Sequence, residues 1–263
     1  LVAVQHVQVF GAQGGQLGRA QTAQLGRAQP GQLFGAEAGN LRRGQRGDLG
    51  AGQRTQRIGA DAISATPPGY FKPDSLDNFI ACLAHITSGA PKLPFYYYNI
   101  PILSGVRFDM VDFLRKGGAR IPNLRGIKFS DSHLHEMLAC VEFDGGRYDI
   151  LFGVDEMLLG GLAFGARGAV GSTFNFAAPL YLKIIAAFDR GDLPEARRLQ
   201  SLSAAMVRVI VGIGGRGGLK AAMALVGAEC GFSRLPTVTF TPGQRAQMKK
   251  ELAALGFFDW ARP

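Results

Sequence analysis

Leu124-Arg125-Gly126-Ile127-Lys128-Phe129 is a short apolar run that holds a lysine next to its C-terminal end. A run of this length, rich in branched and aromatic side chains and followed by amphipathic text, reads as a strand entering a helix. A strand-end lysine can snorkel to solvent. It can also be a reagent. A free lysine has a pKa of about 10.4, and desolvation in a strand interior lowers it by several units. The neutral amine then attacks a ketone to form an iminium, an electron sink that makes the neighbouring C–C bond breakable.

Working outward, similar runs occur at 61–66, 94–99, 149–153 and 168–172, each followed by a helical pattern. The helices are expected at about 74–88, 108–116, 132–142, 155–165 and 179–189. Strands alternating with helices in this way give βαβ units and a parallel sheet, either doubly wound or closed as a barrel. The distribution of reactive residues selects the barrel. Tyr98, Lys128, Asp155 and Ser172 fall at the C-terminal ends of their strands, where a barrel collects its active site. Tyr98 stands 30 residues before Lys128, one βα unit, which sets the two side by side, and its phenol can relay a proton. Tyr96 and Tyr97 read as strand packing, and Pro101 as a stop to both pairing and helix. Beyond 179 the pattern is helix on helix, at about 193–211, 217–227 and 242–254.

Residues 1–57 are different text. They carry seven Arg, no Lys and two acids, and so hold more than half of the net charge of +9. Gln-Leu-Gly-Arg-Ala-Gln occurs twice, at 16–21 and 24–29, and the longest strand-like run is Val7–Phe10. Such bias reads as a low-complexity tail or as a GC-rich gene translated in another frame. The first residue is Leu, which suggests an N-terminally truncated fragment. Aromatics are not interleaved with the arginines as a base-stacking surface would need, so a nucleic-acid surface is not expected. Three cysteines without paired spacing make neither a disulfide framework nor a zinc site, and a reducing, cytoplasmic setting follows by default. No apolar run reaches the roughly 18–20 residues of a membrane span, and no signal peptide is legible.

Four motifs stand in register: Tyr98-Asn99-Ile100-Pro101, Gly126-Ile127-Lys128, Gly153-Val154-Asp155-Glu156 and Gly171-Ser172-Thr173-Phe174-Asn175. Together they resemble the successive signatures of the N-acetylneuraminate lyase and dihydrodipicolinate synthase superfamily, from about Ile58 to the C-terminus. The resemblance implies a (β/α)8 TIM barrel with extra C-terminal helices. Residues 58–178 would hold barrel strands four to eight, and 179–263 the last barrel helix and a helical extension. Within the superfamily, Pro101-Ile102-Leu103-Ser104-Gly105 and the acid pair at 155–156 look like the sialic acid branch, whereas the synthases place an Arg soon after their Tyr-Asn-x-Pro.

That resemblance implies a class I aldolase that cleaves N-acetylneuraminate to N-acetylmannosamine and pyruvate. Lys128 would form the iminium and Tyr98 would relay the proton. Ser130, Gly153, Asp155, Glu156 and Ser172 would hold the hydroxylated tail. No cofactor or metal is required, and a homotetramer is the usual assembly. One family feature is missing. A Gly-Ser/Thr-Thr-Gly-Glu loop, which holds the pyruvate carboxylate, has no counterpart in residues 1–57, so the N-terminal strands read as missing or degenerate. If that segment is frame-shifted, another frame upstream of codon 58 should spell this loop; a coding sequence that spells it in no frame sinks the idea.

Two other readings stay open: an aldolase acting on another 2-keto acid, dihydrodipicolinate synthase-like or otherwise, and a catalytically inactive barrel. Gly212-Ile213-Gly214-Gly215-Arg216-Gly217 satisfies G-x-G-x-x-G but lacks the βαβ closure of a dinucleotide site and reads as a turn between helices. His133 and His135, two residues apart on a helix, share no face for a metal.

Overall fold

The computed structural model describes residues 7–10, 53 and 60–261. Apart from 7–10 and 53, residues 1–57, where the family's loop has no counterpart in the sequence, lie outside them, the hexapeptide repeat included. Among the described residues six strands form one sheet in chain order: β1 (Val7–Phe10), β2 (Ala62–Ala65), β3 (Phe95–Asn99), β4 (Leu124–Phe129), β5 (Asp149–Phe152) and β6 (Gly168–Ala169). β2 to β6 pair in parallel, as helix crossovers require. β1, on the run singled out in the N-terminal segment, pairs antiparallel with β2, Val7 opposite Ala65.

The chain divides into two compact units. One runs to Gly153 and takes in Phe164–Ala169; the other comprises Val154–Ala163 and Val170 onward. The first holds the whole sheet with α1 (Leu76–Thr87), α2 (Pro101–Ser104), α3 (Met110–Arg120) and α4 (Leu134–Glu142). Ser75 accepts a hydrogen bond from the Asn78 N–H and Asp109 from the Asp112 N–H, so α1 and α3 each begin at a side-chain cap. Side chains alternate across β3. Tyr97 turns to the helices, its ring 5.0 Å from Phe79 of α1 and 4.9 Å from Phe113 of α3. Tyr96 and Tyr98 therefore lie on the opposite face. Tyr96 donates to Asp149 Oδ2 at 2.9 Å, so it does more than pack. Gly126 is needed where β4 meets β5, since a Cβ there would sit 1.8 Å from the Asp149 carbonyl oxygen.

The second unit is helical: α5 (Leu158–Ala163), α6 (Phe174–Asp189), α7 (Leu193–Gly214), α8 (Gly217–Leu225), α9 (Pro242–Ala254) and α10 (Phe257–Trp260). α7 buries Ala196, Leu199, Ser203, Met206 and Ile210, a three-and-four spacing that makes one continuous stripe. The glycine-rich stretch is packing. A Cβ on Gly217 would meet the Val238 carbonyl oxygen at 2.1 Å, and one on Gly214 would meet the Phe240 ring at 2.6 Å. Gly215 takes φ +68 between α7 and α8. Among the described residues no single helix is long and apolar enough to cross a membrane. Cys82, Cys140 and Cys230 are free thiols.

Three expectations need correcting. Pro101 does not stop a helix; it occupies the first turn of α2, where its missing N–H costs nothing. The strand expected over 168–172 shrinks to Gly168–Ala169. α6 begins at Phe174 rather than 179, with a break at Ala177 where φ is −127. Pro179 sits inside it, removes a backbone donor and crowds the preceding turn, which is why the sequence pattern starts the helix at 179.

Candidate active site

In the first unit, parallel pairing sets Tyr98 directly opposite Lys128. Ile127 and Phe129 turn to the buried helix side, so Lys128 shares the face of Tyr98. The Lys128 residue is only 4% exposed, and its Nζ lies 3.9 Å from the centroid of the Tyr98 ring. A buried amine against a phenol is the juxtaposition that the spacing predicted. Ser130 follows β4 and is buried; its N–H donates to the Asn99 carbonyl at 2.8 Å and its Oγ to the Gly153 carbonyl at 3.1 Å. Gly153 extends the ladder of β5 through its N–H to the Phe129 carbonyl. A Cβ at 153 would lie 1.9 Å from Ser130 Oγ and 3.3 Å from Lys128 Cε. Glycine here is what lets Ser130 and Lys128 approach.

A charged cluster lies just beyond. Asp131 is buried and takes Arg107 on Oδ2 at 2.9 Å, with His133 Nδ1 and the Ser132 N–H on Oδ1 at 2.9 and 2.7 Å. Burial opposes its charge, but the His133 hydrogen bond, the Ser132 N–H and the Arg107 guanidinium hold its carboxyl below the usual range. His133 is exposed, yet it has a definite partner in Asp131. Arg107, the first arginine after Tyr98-Asn99-Ile100-Pro101, is engaged by that aspartate. Among the described residues, no group of three His, Cys, Asp or Glu is placed to hold a metal ion.

In the second unit, Asp155 begins a short 3-10 turn, Asp155–Met157, and is buried, while Glu156 and Ser172 are exposed. Asp155 Oδ2 accepts from the Thr173 N–H at 2.9 Å and the Thr173 hydroxyl at 2.5 Å. The acid pair therefore does not offer two equivalent carboxylates to a polyol, since one oxygen of Asp155 already has two protein donors. A Cβ on Gly171 would fall 1.8 Å from Asp155 Oδ1, so this glycine too is set by a carboxylate. Behind Thr173 stand the Tyr181 hydroxyl at 2.5 Å and, 2.9 Å beyond it, Ser203 Oγ. Burial, and then the Asp155 charge, push the Tyr181 phenol well above its ordinary range, so it keeps its proton.

Thr173, Tyr181 and Ser203 were not assigned roles from the sequence. Tyr181 sits among Ala177, Leu180 and Ile184 and reads as core. Ser203 did leave a signal: it is the one polar residue in the buried stripe of α7, and such a group needs a partner.

The Dihydrodipicolinate synthetase family model matches residues 46–255. The chain is 45% identical over 180 residues to an N-acetylneuraminate lyase A of Xenopus laevis, covering 68% of this chain and 59% of that one. It is 39% identical over 210 residues to an N-acetylneuraminate lyase of Sus scrofa, covering 77% and 66%. Among solved structures, Proteus mirabilis N-acetylneuraminate lyase superposes with a TM-score of 0.78 at 38% identity, covering 81% of this chain and 72% of that one. That likeness shows the fold class, the (β/α)8 barrel type with extra C-terminal helices, of which the described residues carry five parallel strands. The chain spans 46–59% of the length of three Xenopus relatives that it matches. With a family model matched over most of its length, the chain belongs to the dihydrodipicolinate synthetase family.

Proposed function

We propose that this chain carries a Schiff-base aldolase site that cleaves N-acetylneuraminate to N-acetylmannosamine and pyruvate. The observation that carries the reading is the buried Lys128 amine against the ring of Tyr98. Lys128 attacks the keto carbon and water leaves, forming the iminium. Tyr98 takes the C4 hydroxyl proton, the C3–C4 bond breaks, and its electrons move into the iminium to give an enamine. N-acetylmannosamine departs as the aldehyde. The enamine is protonated, and water releases pyruvate and the free amine. Ser130 and Gly153 line the nucleophile's surroundings, and Asp155, Glu156 and Ser172 hold the hydroxylated arm. A cytoplasmic homotetramer belongs to the same proposal, supported by the three free thiols and by the family's usual assembly.

Arg107 argues against the synthase alternative. No arginine follows Pro101 closely, and Arg107 is engaged by Asp131 rather than offered to a substrate carboxylate. The expected result is pyruvate release from N-acetylneuraminate, and no condensation of pyruvate with aspartate semialdehyde. The reverse preference would move the assignment to the synthase branch.

A further inference from the structure

The three hydroxyls behind Asp155, on Thr173, Tyr181 and Ser203, carry a proton direction. Asp155 Oδ2 receives the Thr173 hydroxyl proton at 2.5 Å, and an ionised carboxylate can only accept. Thr173 has no second proton, so its oxygen must accept from Tyr181, 2.5 Å away. Tyr181 has then used its own proton, so it must accept from Ser203, 2.9 Å away. Ser203 Oγ also donates to the Asp155 carbonyl at 3.2 Å, so its single proton is shared between that carbonyl and the nearer Tyr181 oxygen; the same carbonyl receives the Gln200 amide at 3.2 Å. The Gln200 carbonyl oxygen in turn accepts the Leu159 N–H at 2.8 Å, which fixes the amide's orientation. With Asp155 ionised, the run is Ser203 to Tyr181 to Thr173 to the carboxylate.

All three hydroxyl residues are buried, at 0% to 2% exposure. Hydrogen bonds aligned head to tail polarise one another, and a chain ending on an anion is stronger than its separate links. Such a chain fixes the carboxylate's rotation, which packing alone would leave to the small neighbours around Gly171. One glycine, Gly171, and four side chains, Thr173, Tyr181, Ser203 and Gln200, gather around one aspartate, more than a turn needs for its stability.

We propose that Ser203, Tyr181 and Thr173 form a one-way hydrogen-bond relay that fixes Asp155 for the hydroxylated arm of the substrate, making Tyr181 and Thr173 specificity-positioning residues. The inference rests on the reading of Asp155 as a hydroxyl-binding group. Tyr181→Phe removes one oxygen and keeps the ring that packs 4.0 Å from Phe174. Its KM for N-acetylneuraminate should rise about tenfold, as for the loss of one good hydrogen bond, with kcat within about threefold. Labelling of Lys128 by pyruvate and borohydride should be unchanged, because that step does not use the arm. Thr173→Ser, which keeps the donor, should behave as wild type, whereas Thr173→Val should follow Tyr181→Phe.

A purely structural role would lower the folded fraction and apparent kcat together and leave KM alone; that result, or a wild-type KM in Tyr181→Phe, overturns the relay. Should Tyr181→Phe fail to fold, Ser203→Ala removes the first donor with a smaller change, and the same KM criterion applies. A wild-type protein that labels at Lys128 but leaves N-acetylneuraminate intact would defeat the substrate reading instead. The relay is then read without turnover, by proton NMR. An exchange-protected hydroxyl resonance should be present in the wild type and shift in Tyr181→Phe, and its absence or indifference to Tyr181 overturns the relay.

Discussion

Replacing Lys128 by Met should abolish cleavage, lowering kcat/KM at least about 10³-fold, while leaving the protein as stable as wild type or more so. The loss follows from chemistry, since a thioether forms no iminium and the covalent path disappears with the amine. The stability expectation follows from burial. Lys128 is 4% exposed, and a buried ammonium is costly wherever it is not fully compensated. Met has nearly the same length, packs against an aromatic ring with its sulfur, and removes that cost. Lys128→Arg should be equally inactive, because a guanidinium is not a nucleophile at neutral pH. Thermal melts and initial rates on the two variants check the pair of expectations. Activity above a tenth of wild type in either variant would mean that Lys128 is not the reacting amine.

Gly153→Ala should be nearly as damaging to activity without touching any reactive group. The new methyl would lie 1.9 Å from Ser130 Oγ and 3.3 Å from Lys128 Cε, far inside contact distance for the hydroxyl. Ser130 must rotate away and give up its hydrogen bond to the Gly153 carbonyl, or β4 and β5 must part. Overpacking of this kind costs about 1–3 kcal/mol. A displacement of about 1 Å at the reacting amine costs about 10²-fold in rate. Gly153→Ala/Ser130→Ala should recover part of the stability, since the closest atom is gone, but not all, because Ser130 Cβ would still stand at 3.1 Å. Denaturant melts on the single and double variants would show this; additive losses would mean that the two residues do not meet.

How far the sequence reached depends on where the information lies. β4 runs from Leu124 to Phe129 as read, because a short branched run between turn residues leaves no other choice. α9 starts at Pro242 as read, because Thr241 and Gln244 form a capping box and proline favours the first turn. Lys128 and Tyr98 were legible because strand periodicity and the length of one βα unit determine their faces. The weaker readings fail where tertiary packing overrides local pattern. α6 hides its first turn behind Pro179, and α2 is a single turn too short to show a period. β1 was found as a run, but nothing in four residues states which way it pairs. The network behind Asp155 was the least legible, because Thr173, Tyr181 and Ser203 are brought together from a loop and two helices. Only the serine in the stripe of α7 betrayed it.

The central claim is that Lys128 reacts with a 2-keto acid. Incubating the folded chain with pyruvate, reducing with borohydride and mapping peptides by mass spectrometry reads this directly. The account predicts one reduced pyruvoyl adduct, on Lys128, absent when either pyruvate or borohydride is withheld. An unmodified Lys128 in folded protein, or labelling spread over exposed lysines alone, would contradict it.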